Sequence, residues 1–465
     1  MIGSLRNNLN EAIERFRSDL RYRELIRSSF FALVVRIAGV ATGYLVTVLT
    51  TRYFHADALG VVSICMALLS FACVISKLGL DVALLRDVSA YAASDDYSFI
   101  KSIYLRAMSI IVPFSLLVSV ILFLSADWMA AYMDKPYLAK VFRINAWINL
   151  PIVLLIFHSE CIRGLKKISA YSFYQSAAAS SVAVLLLVVA IVGIHYDLIP
   201  TDIIPVKFWP AGIQFTAIVV AALLSIMSWF YYSRFLREKT STGRKTTGLL
   251  KTSLPIFTST LMQLVMSWAG VLILGKFYPE ATAGIFNAMV RVSVVTNVAI
   301  LAVNSLSTPR FAVAFADRNI EALRLHVRES TRLIFLTSLP IFAVLCLLPG
   351  FVLSIFGKEF AGNESSLEIL LAGQFIVVIC GLPSQVLTMT NQQLSLMNIA
   401  IFSALVNVVA SFLLIPKFGI AGASVATGFG ILSWNLLSVL QVKKKFGFYT
   451  WFGAGGGKKN DQLIS

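Results

Sequence analysis

Apolar stretches of about twenty residues recur along the whole chain, and they constrain its fold more than any other feature. A helix needs roughly 20 mostly apolar residues to cross the hydrocarbon core of a bilayer. The stretches are too long for membrane strands and do not alternate apolar with polar residues. Only 13% of the residues are charged, whereas soluble domains carry about 25%. We therefore expect an all-α polytopic membrane protein with about 12 transmembrane helices. They are predicted at 30–51, 59–80, 103–125, 139–159, 171–194, 210–232, 254–275, 284–306, 332–354, 366–389, 394–415 and 419–440.

The net charge of +16 would suit a nucleic-acid-binding protein, but the positions of the cations argue against this class. We number the loops between predicted helices in chain order. The two termini and the even-numbered loops hold 27 of the 39 Lys and Arg residues, and the odd-numbered loops hold 7. Arg332 and Lys140 lie at helix ends and are counted with the loops that they adjoin. Such a bias is typical of cytoplasmic loops. It predicts a multi-pass protein of the cytoplasmic (inner) membrane with both termini in the cytoplasm, and no nucleic-acid partner.

The two halves of the chain carry related sequences when they are shifted by 224 residues. Residues 52–54 (RYF) then align with residues 276–278 (KFY), and Gly60 aligns with Gly284, without a gap across sixty positions. Each half would contain six helices, so both halves would enter the membrane from the same side. Parallel repeats of this kind are related by an axis along the membrane normal, and transporters bind substrate between them.

The repeat and the charge pattern together predict five segments. Residues 1–28 are expected to form a basic amphipathic segment on the cytoplasmic surface, because Leu and Phe recur there at helical spacing among arginines. Residues 29–232 would form the first lobe (helices 1–6) and residues 254–440 the second lobe (helices 7–12). The polar, basic residues 233–253 would link the lobes in the cytoplasm, and residues 441–465 would form a cytoplasmic tail.

Charged groups inside the bilayer are the first candidates for function. Arg36 and Arg291 lie about two turns inside predicted helices 1 and 8, while the predicted helices contain no Asp or Glu near mid-membrane. The guanidinium fork matches phosphate oxygens, so arginines without carboxylates favour an anionic substrate over a cationic drug. Both side chains are close enough to a boundary that snorkelling to the interface is the alternative explanation.

Five further ionic residues are candidates for a gate or for secondary contacts with the substrate. Arg52 and Asp57 lie in the repeated loop between helices 1 and 2, although a short loop also needs charges simply to remain in water. Lys77, Arg106 and Arg143 lie near helix ends, where snorkelling is the usual behaviour.

Amide side chains inside the predicted helices are a second polar feature. Amides across membrane helices often form only helix-to-helix hydrogen bonds, but they also suit sugar hydroxyls. They are Asn145, Asn149, Gln263, Asn297, Asn304, Gln374, Gln385 and Asn407.

Signals of catalysis are weak throughout the sequence. The four histidines and five cysteines have no spacing typical of a metal site, a disulfide framework or a catalytic triad. We therefore expect no enzymatic activity, no cofactor and no bound metal.

Three motifs resemble a known family. They are residues 77–89 (KLGLDVALLRDVS), residues 164–167 (GLKK) and residues 414–427 (LIPKFGIAGASVAT), and they are similar to the Wzx-type polysaccharide and oligosaccharide-lipid flippases. These belong to the multidrug/oligosaccharidyl-lipid/polysaccharide exporter superfamily. The resemblance implies two parallel six-helix lobes in a MATE-like V shape around a cationic cavity. The related lipid II flippases use arginines on helices 1, 2 and 8. Arg36 and Arg291 occupy comparable helices, but helix 2 has no internal arginine here, and lipid II flippases commonly have two more helices.

The resemblance implies that the chain flips undecaprenyl-pyrophosphate-linked oligosaccharide units across the inner membrane for O-antigen (lipopolysaccharide), capsule or exopolysaccharide synthesis. The implied partners are the lipid-linked oligosaccharide and membrane lipids, with polymerase or assembly proteins as further candidates. Two alternatives stay open. A drug or metabolite antiporter of the same superfamily should show acids at mid-membrane, and a glycan polymerase or ligase should show a large outer loop.

Overall fold

The computed structural model describes residues 20–93, 97–197, 205–234 and 249–453. These residues form fifteen α-helices, and no β-strand occurs among them. In chain order the helices are α1 (Leu20–Lys77), α2 (Leu80–Ala93), α3 (Tyr97–Tyr132), α4 (Ala139–Gly164), α5 (Ile168–Ser172), α6 (Ala178–His195), α7 (Trp209–Tyr232), α8 (Leu249–Phe277), α9 (Glu280–Val294), α10 (Val298–Ala316), α11 (Ile320–Leu347), α12 (Pro349–Ser354), α13 (Glu364–Cys380), α14 (Pro383–Met389) and α15 (Gln393–Phe446).

The described helices are long and apolar enough to cross a membrane many times. Nine stretches meet that requirement, and α13 with α14 gives a tenth when this pair, bent by 46°, is counted as one. Two of the stretches, Val34–Lys77 and Gln393–Phe446, contain 44 and 54 residues, about twice the length of one crossing. Each contains a break with non-helical backbone angles, so each is long enough for two crossings. The prediction of an all-α polytopic membrane protein is confirmed.

The two long helices reverse direction at single residues. In α1 the break is at His55, with φ 67° and ψ 171°, and in α15 it is at Gly419, with φ 54° and ψ −126°. Glycine adopts positive φ without penalty because it has no Cβ. A histidine with positive φ is uncommon, and its surroundings must hold it there.

Three predicted helices are less regular than expected. Predicted helix 10 is broken at Gly381, which has φ 76°, and Pro383 then starts α14 because it cannot donate a backbone hydrogen bond. Predicted helix 5 contains a π-helical turn, Phe173–Ala177, between α5 and α6. Predicted helix 8 is divided into α9 and α10 by a 3₁₀ turn, Val295–Asn297. Helix α10 extends ten residues beyond the predicted end at residue 306.

The predicted terminal and linker segments fall largely outside the described residues. Of the predicted amphipathic segment 1–28, residues 1–19 lie outside, and residues 20–28 already belong to α1. Of the linker, residues 235–248 lie outside, and α8 begins before the linker's predicted end. Of the tail, residues 454–465 lie outside, whereas residues 441–446 complete α15. The division into two lobes with these boundaries stays a prediction.

The packing differs between the two ends of the bundle. One end, called here the packed end, contains the turns at His55, Lys135 and Gly419. The opposite, divided end contains Lys77 and Phe446. A single core at the packed end takes buried side chains from residues 56–218 and from residues 269–423.

The divided end has two separate cores. One is built only from residues 73–229, and the other only from residues 303–448. The two halves of the chain therefore share one hydrophobic core at the packed end and have separate hydrophobic cores at the divided end.

Candidate functional site

Helices α1 and α9 cross at the packed end, and residues 224 positions apart are joined there. Asn287 Nδ2 donates to Ser63 Oγ over 2.7 Å, and the backbone N–H of Ala281 donates to Asp57 Oδ1 over 3.2 Å. A residue can touch its own counterpart in a repeat only beside the axis that relates the two copies. The sequence repeat therefore corresponds to a local pseudo-twofold axis at this crossing.

Two glycines, which the repeat also pairs, allow the helices to approach this closely. A Cβ on Gly60 would lie 1.9 Å from the carbonyl oxygen of Glu280, and a Cβ on Gly284 would lie 2.5 Å from that of Ala56. No side chain fits at either position without moving backbone. The aligned glycines are thus explained by the contact between the halves as well as by a turn.

The predicted gate residue Arg52 joins the first half to the second. Its Nε donates to the carbonyl of Ile355 over 2.8 Å, and a terminal nitrogen donates to that of Ser354 over 2.7 Å. Glu359 of the second half in turn binds the first half: its carboxylate accepts a hydrogen bond from the backbone N–H of Ala56 at 2.8 Å and lies 3.2 Å from His55 Nδ1. These contacts hold the strained break in α1. His55 and Glu359 are 73% and 47% exposed, so water screens this ion pair and its contribution is small.

Two lysines bridge the halves beside this crossing. Lys135 Nζ donates to the carbonyls of Gly275 and Tyr278 at 2.5 and 2.8 Å, and Lys276 Nζ lies 2.5 Å from Asp134 Oδ2. Each lysine thus binds groups of the other half. Burial lowers the pKa of the Lys135 ammonium group below its ordinary value, and the nearby Glu280 carboxylate opposes this shift.

The predicted substrate-binding arginines lie on the two helices that cross. Arg36 is half-buried on α1, 5.9 Å from the centre of the Tyr171 ring, to which Arg163 also lies close at 4.9 Å. Arg291 is exposed on α9, and its carbonyl accepts a hydrogen bond from the Tyr44 hydroxyl. Tyr44 follows Arg36 by eight residues, or about 12 Å along a helix. The two arginines therefore lie at different depths along the bundle.

The other predicted contact residues lie elsewhere. Lys77 forms an ion pair with Asp81 at 2.7 Å within the first half. Arg143 pairs with Asp127 at 2.5 Å, and Arg106 is exposed on α3. The structure does not bring these three cations to the crossing of α1 and α9.

The eight predicted amides separate into two groups. Three of them donate hydrogen bonds to backbone carbonyls: Asn145 to that of Cys65 and Asn149 to that of Ser115 on other helices, and Asn407 to that of Ala426 across the break in α15. The other five line one cavity in the second half of the chain: Gln263, Asn297, Asn304, Gln374 and Gln385.

Sequence reasoning did not identify several residues of this region. Lys135 and Glu359 were not singled out, because their partners lie more than a hundred positions away and no local pattern connects them. Asn435 and Trp434, which also line the cavity, were missed as well. Asn435 and Trp434 both lie in an apolar helix, so the sequence could have identified them by the same criterion as the eight amides.

Comparisons with known proteins identify relatives by sequence. Residues 25–315, or 291 of the 465 residues, match the family described as polysaccharide biosynthesis protein, and residues 255–413 match the family described as MatE. "Probable flippase AglR" of Haloferax volcanii is 21% identical over 434 residues, which cover 90% of this chain and 83% of the relative. "Uncharacterized membrane protein MJ1068" of Methanocaldococcus jannaschii is 24% identical, with coverage of 88% and 82%.

Solved structures share the fold across most of the chain. An inward-facing multidrug resistance MATE family transporter of the MOP superfamily matches with a TM-score of 0.71 and 15% identity, covering 89% of this chain and 98% of the transporter. Lipid II flippase MurJ in an inward closed conformation matches with a TM-score of 0.68 and 14% identity, covering 90% and 87%. The polysaccharide biosynthesis profile covers more than half of the sequence, and the resemblance noted in the sequence is confirmed: the chain belongs to the polysaccharide biosynthesis protein family.

Proposed function

We propose that this protein is a flippase that moves undecaprenyl-pyrophosphate-linked oligosaccharide units across the cytoplasmic membrane for surface polysaccharide synthesis. One observation carries the proposal. The two halves share a core at the packed end and keep separate cores at the divided end, with an arginine on each of the helices that cross between them. Family membership and the flippase named among the relatives support it.

Arg36 and Arg291 would hold the pyrophosphate. No Asp or Glu lies on residues 29–54 of α1 or on residues 281–294 of α9, so no carboxylate of these segments competes for the guanidinium groups. Arginine binds phosphate with two parallel hydrogen bonds, which are stronger than those between neutral groups. Since the arginines lie at different depths, the anion would pass from Arg36 to Arg291 as it moves from the divided end toward the packed end.

The contacts of the packed end would form the gate. Arg52, Asp57, Lys135 and Glu359 join the halves mainly through hydrogen bonds to backbone groups. Each contact of the exposed side chains Arg52, Asp57 and Glu359 contributes about 1 kcal/mol or less, because water competes for the same groups. The hydrogen bonds of the buried Lys135 ammonium group are stronger, at about 1.5–3 kcal/mol each. A gate built from several such contacts is stable when all are formed.

The charge bias of the loops supports an orientation with the divided end and both termini in the cytoplasm. Substrate would then enter from the side on which lipid-linked sugars are assembled, and polymerase or assembly proteins would receive it on the other side. The lipid tail would stay in the bilayer between the halves, because its transfer into a polar cavity is unfavourable.

Deletion of the gene tests the proposal. Lipid-linked oligosaccharides are extracted from the deletion strain, and a membrane-impermeant glycosidase determines which leaflet contains them. We expect complete units trapped in the cytoplasmic leaflet. Single units accumulating in the outer leaflet would instead indicate a polymerase or ligase, and an unchanged glycolipid pool would indicate the antiporter alternative.

Complementation with point variants tests the site. Arg36→Ala and Arg291→Ala should each reduce export at least tenfold at normal protein levels, because each removes a charged hydrogen-bond partner of the phosphate. Arg143→Ala is the matched control, since this arginine pairs with Asp127 away from the crossing. Full export by both Arg36→Ala and Arg291→Ala would refute the site assignment.

A further inference from the structure

A cavity of about 380 Å³ lies within the second half of the chain. Its walls come from α8, α9, α10, α13, α14 and the second part of α15. Its volume is in the range of small-molecule binding pockets. Six amide side chains line it: Gln263, Asn297, Asn304, Gln374, Gln385 and Asn435.

Among the described residues that line it, none has an ionisable side chain. Hydroxyl groups of Ser267, Ser384 and Thr427 complete the polar part, and the remainder is apolar. A cationic ligand would find no carboxylate here, and a phosphate would find no cation. An amide both donates and accepts hydrogen bonds, as a sugar hydroxyl does. The cavity therefore suits an uncharged ligand that carries many hydroxyl groups.

Part of this hydrogen-bonding capacity is already used by the protein. Asn297 Nδ2 donates to Gln374 Oε1 over 2.9 Å, which fixes these two side chains against each other. Asn435 Nδ2 donates to the carbonyl of Ile431. The side chains of Gln263 and Gln385 form no hydrogen bond within the described part of the chain. Polar side chains in a membrane protein without a protein partner need water or a ligand.

Two interrupted helices meet at the cavity. The 3₁₀ turn after α9 contributes Asn297, and the bend between α13 and α14 contributes residues 381–385. Irregular backbone at membrane depth is tolerated only where it is buried in protein or lines a cavity. The bend is held from behind, because the hydroxyl of Thr450 donates to the carbonyl of Cys380 at 2.8 Å. The cavity is thus a built feature of the fold.

The cavity also lies beside one of the proposed phosphate ligands. Val290 and Val294 line it, and Arg291 lies between them on α9. An anion held by Arg291 would place a group attached to it within one helical turn of the cavity wall. Trp434 supplies an aromatic surface in the same wall, and the C–H face of a pyranose ring packs on such a surface while the hydroxyl groups at its edge reach the amides.

We infer that this cavity binds an uncharged sugar residue of the lipid-linked glycan, the one nearest to the pyrophosphate. The inference rests on the proposed function and adds a subsite to it. The arginines recognise the pyrophosphate that every such lipid shares, whereas the amide cavity recognises the glycan.

Binding measurements on the purified full-length protein in nanodiscs test the inference. Two probes are compared: undecaprenyl pyrophosphate without sugar, and the lipid-linked repeat unit extracted from the deletion strain. The test variant is the double substitution Gln374→Leu with Gln385→Leu, which keeps side-chain size and removes the polar groups. The control is Gln393→Leu, at an exposed glutamine outside the cavity.

We expect the double variant to bind the glycan-bearing lipid about 30-fold more weakly, the effect of losing two neutral hydrogen bonds. Its affinity for the bare lipid should stay within twofold, which also demonstrates that it is folded. The control should match the wild type with both probes.

Two results would overturn the inference alone. These are an equal loss of affinity for both lipids, and an unchanged affinity for the glycan-bearing lipid in the double variant. A wild-type protein that bound neither lipid would overturn the proposed function and the inference together.

Discussion

Substitution of Gly60 by alanine should force the two halves apart at the packed end. The added Cβ would lie 1.9 Å from the carbonyl oxygen of Glu280, which is 1.5 Å short of the 3.4 Å at which ordinary contact begins. The obstructing atom is backbone, so no side-chain rotation relieves the clash. The crossing is equally intolerant on the other helix, where a Cβ on Gly284 would meet Ala56. Helices α1 and α9 must therefore separate as rigid bodies.

The expected energy follows from the size of this clash. Overpacking by one methyl group typically costs about 1–3 kcal/mol, and more when the backbone cannot move. The cost falls only on the conformation in which the helices touch. It should therefore favour the opened packed end by about 5- to 150-fold.

Cys65 is a natural reporter of this opening. Its side chain is fully buried in the core that both halves share. With the other four cysteines replaced by alanine, its rate of reaction with a small maleimide measures how often the packed end opens. Gly60→Ala should raise this rate at least fivefold. Gly43→Ala is the matched control on the same helix, because a Cβ there has no atom within 4 Å, and it should stay within twofold of the wild type.

A second reporter separates opening from general unfolding. Cys161 is buried in the separate core of the first half at the divided end. Its rate of labelling, measured in a background that retains only this cysteine, should be unchanged by Gly60→Ala. Equal labelling of Cys65 in Gly60→Ala and in Gly43→Ala would refute the close crossing, and a parallel rise at Cys161 would refute an effect confined to the packed end.

Two further predictions concern single hydrogen-bonding side chains. Arg52→Ala should raise the rate of Cys65 labelling about two- to fivefold, since exposed charged contacts contribute little individually. Arg143→Ala is the control and should have no effect, because the ion pair of Arg143 lies within the first half. Equal labelling rates in the two variants would contradict a gate role for Arg52. Thr450→Val should lower the free energy of unfolding by about 1–3 kcal/mol, because a buried carbonyl at the α13–α14 bend loses its donor. Thermal unfolding in detergent measures this effect against Thr337→Val, whose exposed hydroxyl bonds only its own helix; identical midpoints would contradict it.

The repeated loop between predicted helices 1 and 2 illustrates how far the sequence could be interpreted. The 224-residue shift identified matching chemistry in the two halves, and Arg52, Asp57 and Gly60 all contact the second half in the structure. The shift did not reveal that counterparts touch each other. That contact depends on where the pseudo-twofold axis passes, and no property of one segment determines the position of the axis.

The amides illustrate the opposite limit. In sequence, Asn149 and Gln374 are indistinguishable as polar residues in apolar helices. The structure assigns Asn149 to hydrogen bonds with α3 and Gln374 to the wall of a cavity. The difference lies in the neighbouring helices: Asn149 faces groups of a packed helix, whereas Gln374, although it accepts a hydrogen bond from Asn297, also borders a cavity.

The positions of Arg36 and Arg291 were predicted, but their relation to each other was not. From the sequence, the depth of each arginine could be measured only from the ends of its own helix. The hydrogen bond between Tyr44 and the carbonyl of Arg291 aligns the two helices and reveals that the arginines lie at different levels. In the proposed mechanism, this offset corresponds to successive rather than simultaneous contacts with one anion.

The sequence by itself determined that this protein is a bundle of membrane helices with charges confined mainly to the loops. The physical reason is that the length and polarity of each segment are tested against the bilayer one helix at a time. Only the tertiary structure decided which end of the bundle is packed, which glycines permit the halves to touch, and which amides surround a cavity. Those features arise from contacts between helices far apart in the chain. Lipid is as apolar as a leucine side chain, so close packing and hydrogen bonds between helices, rather than apolarity, determine which helix faces meet.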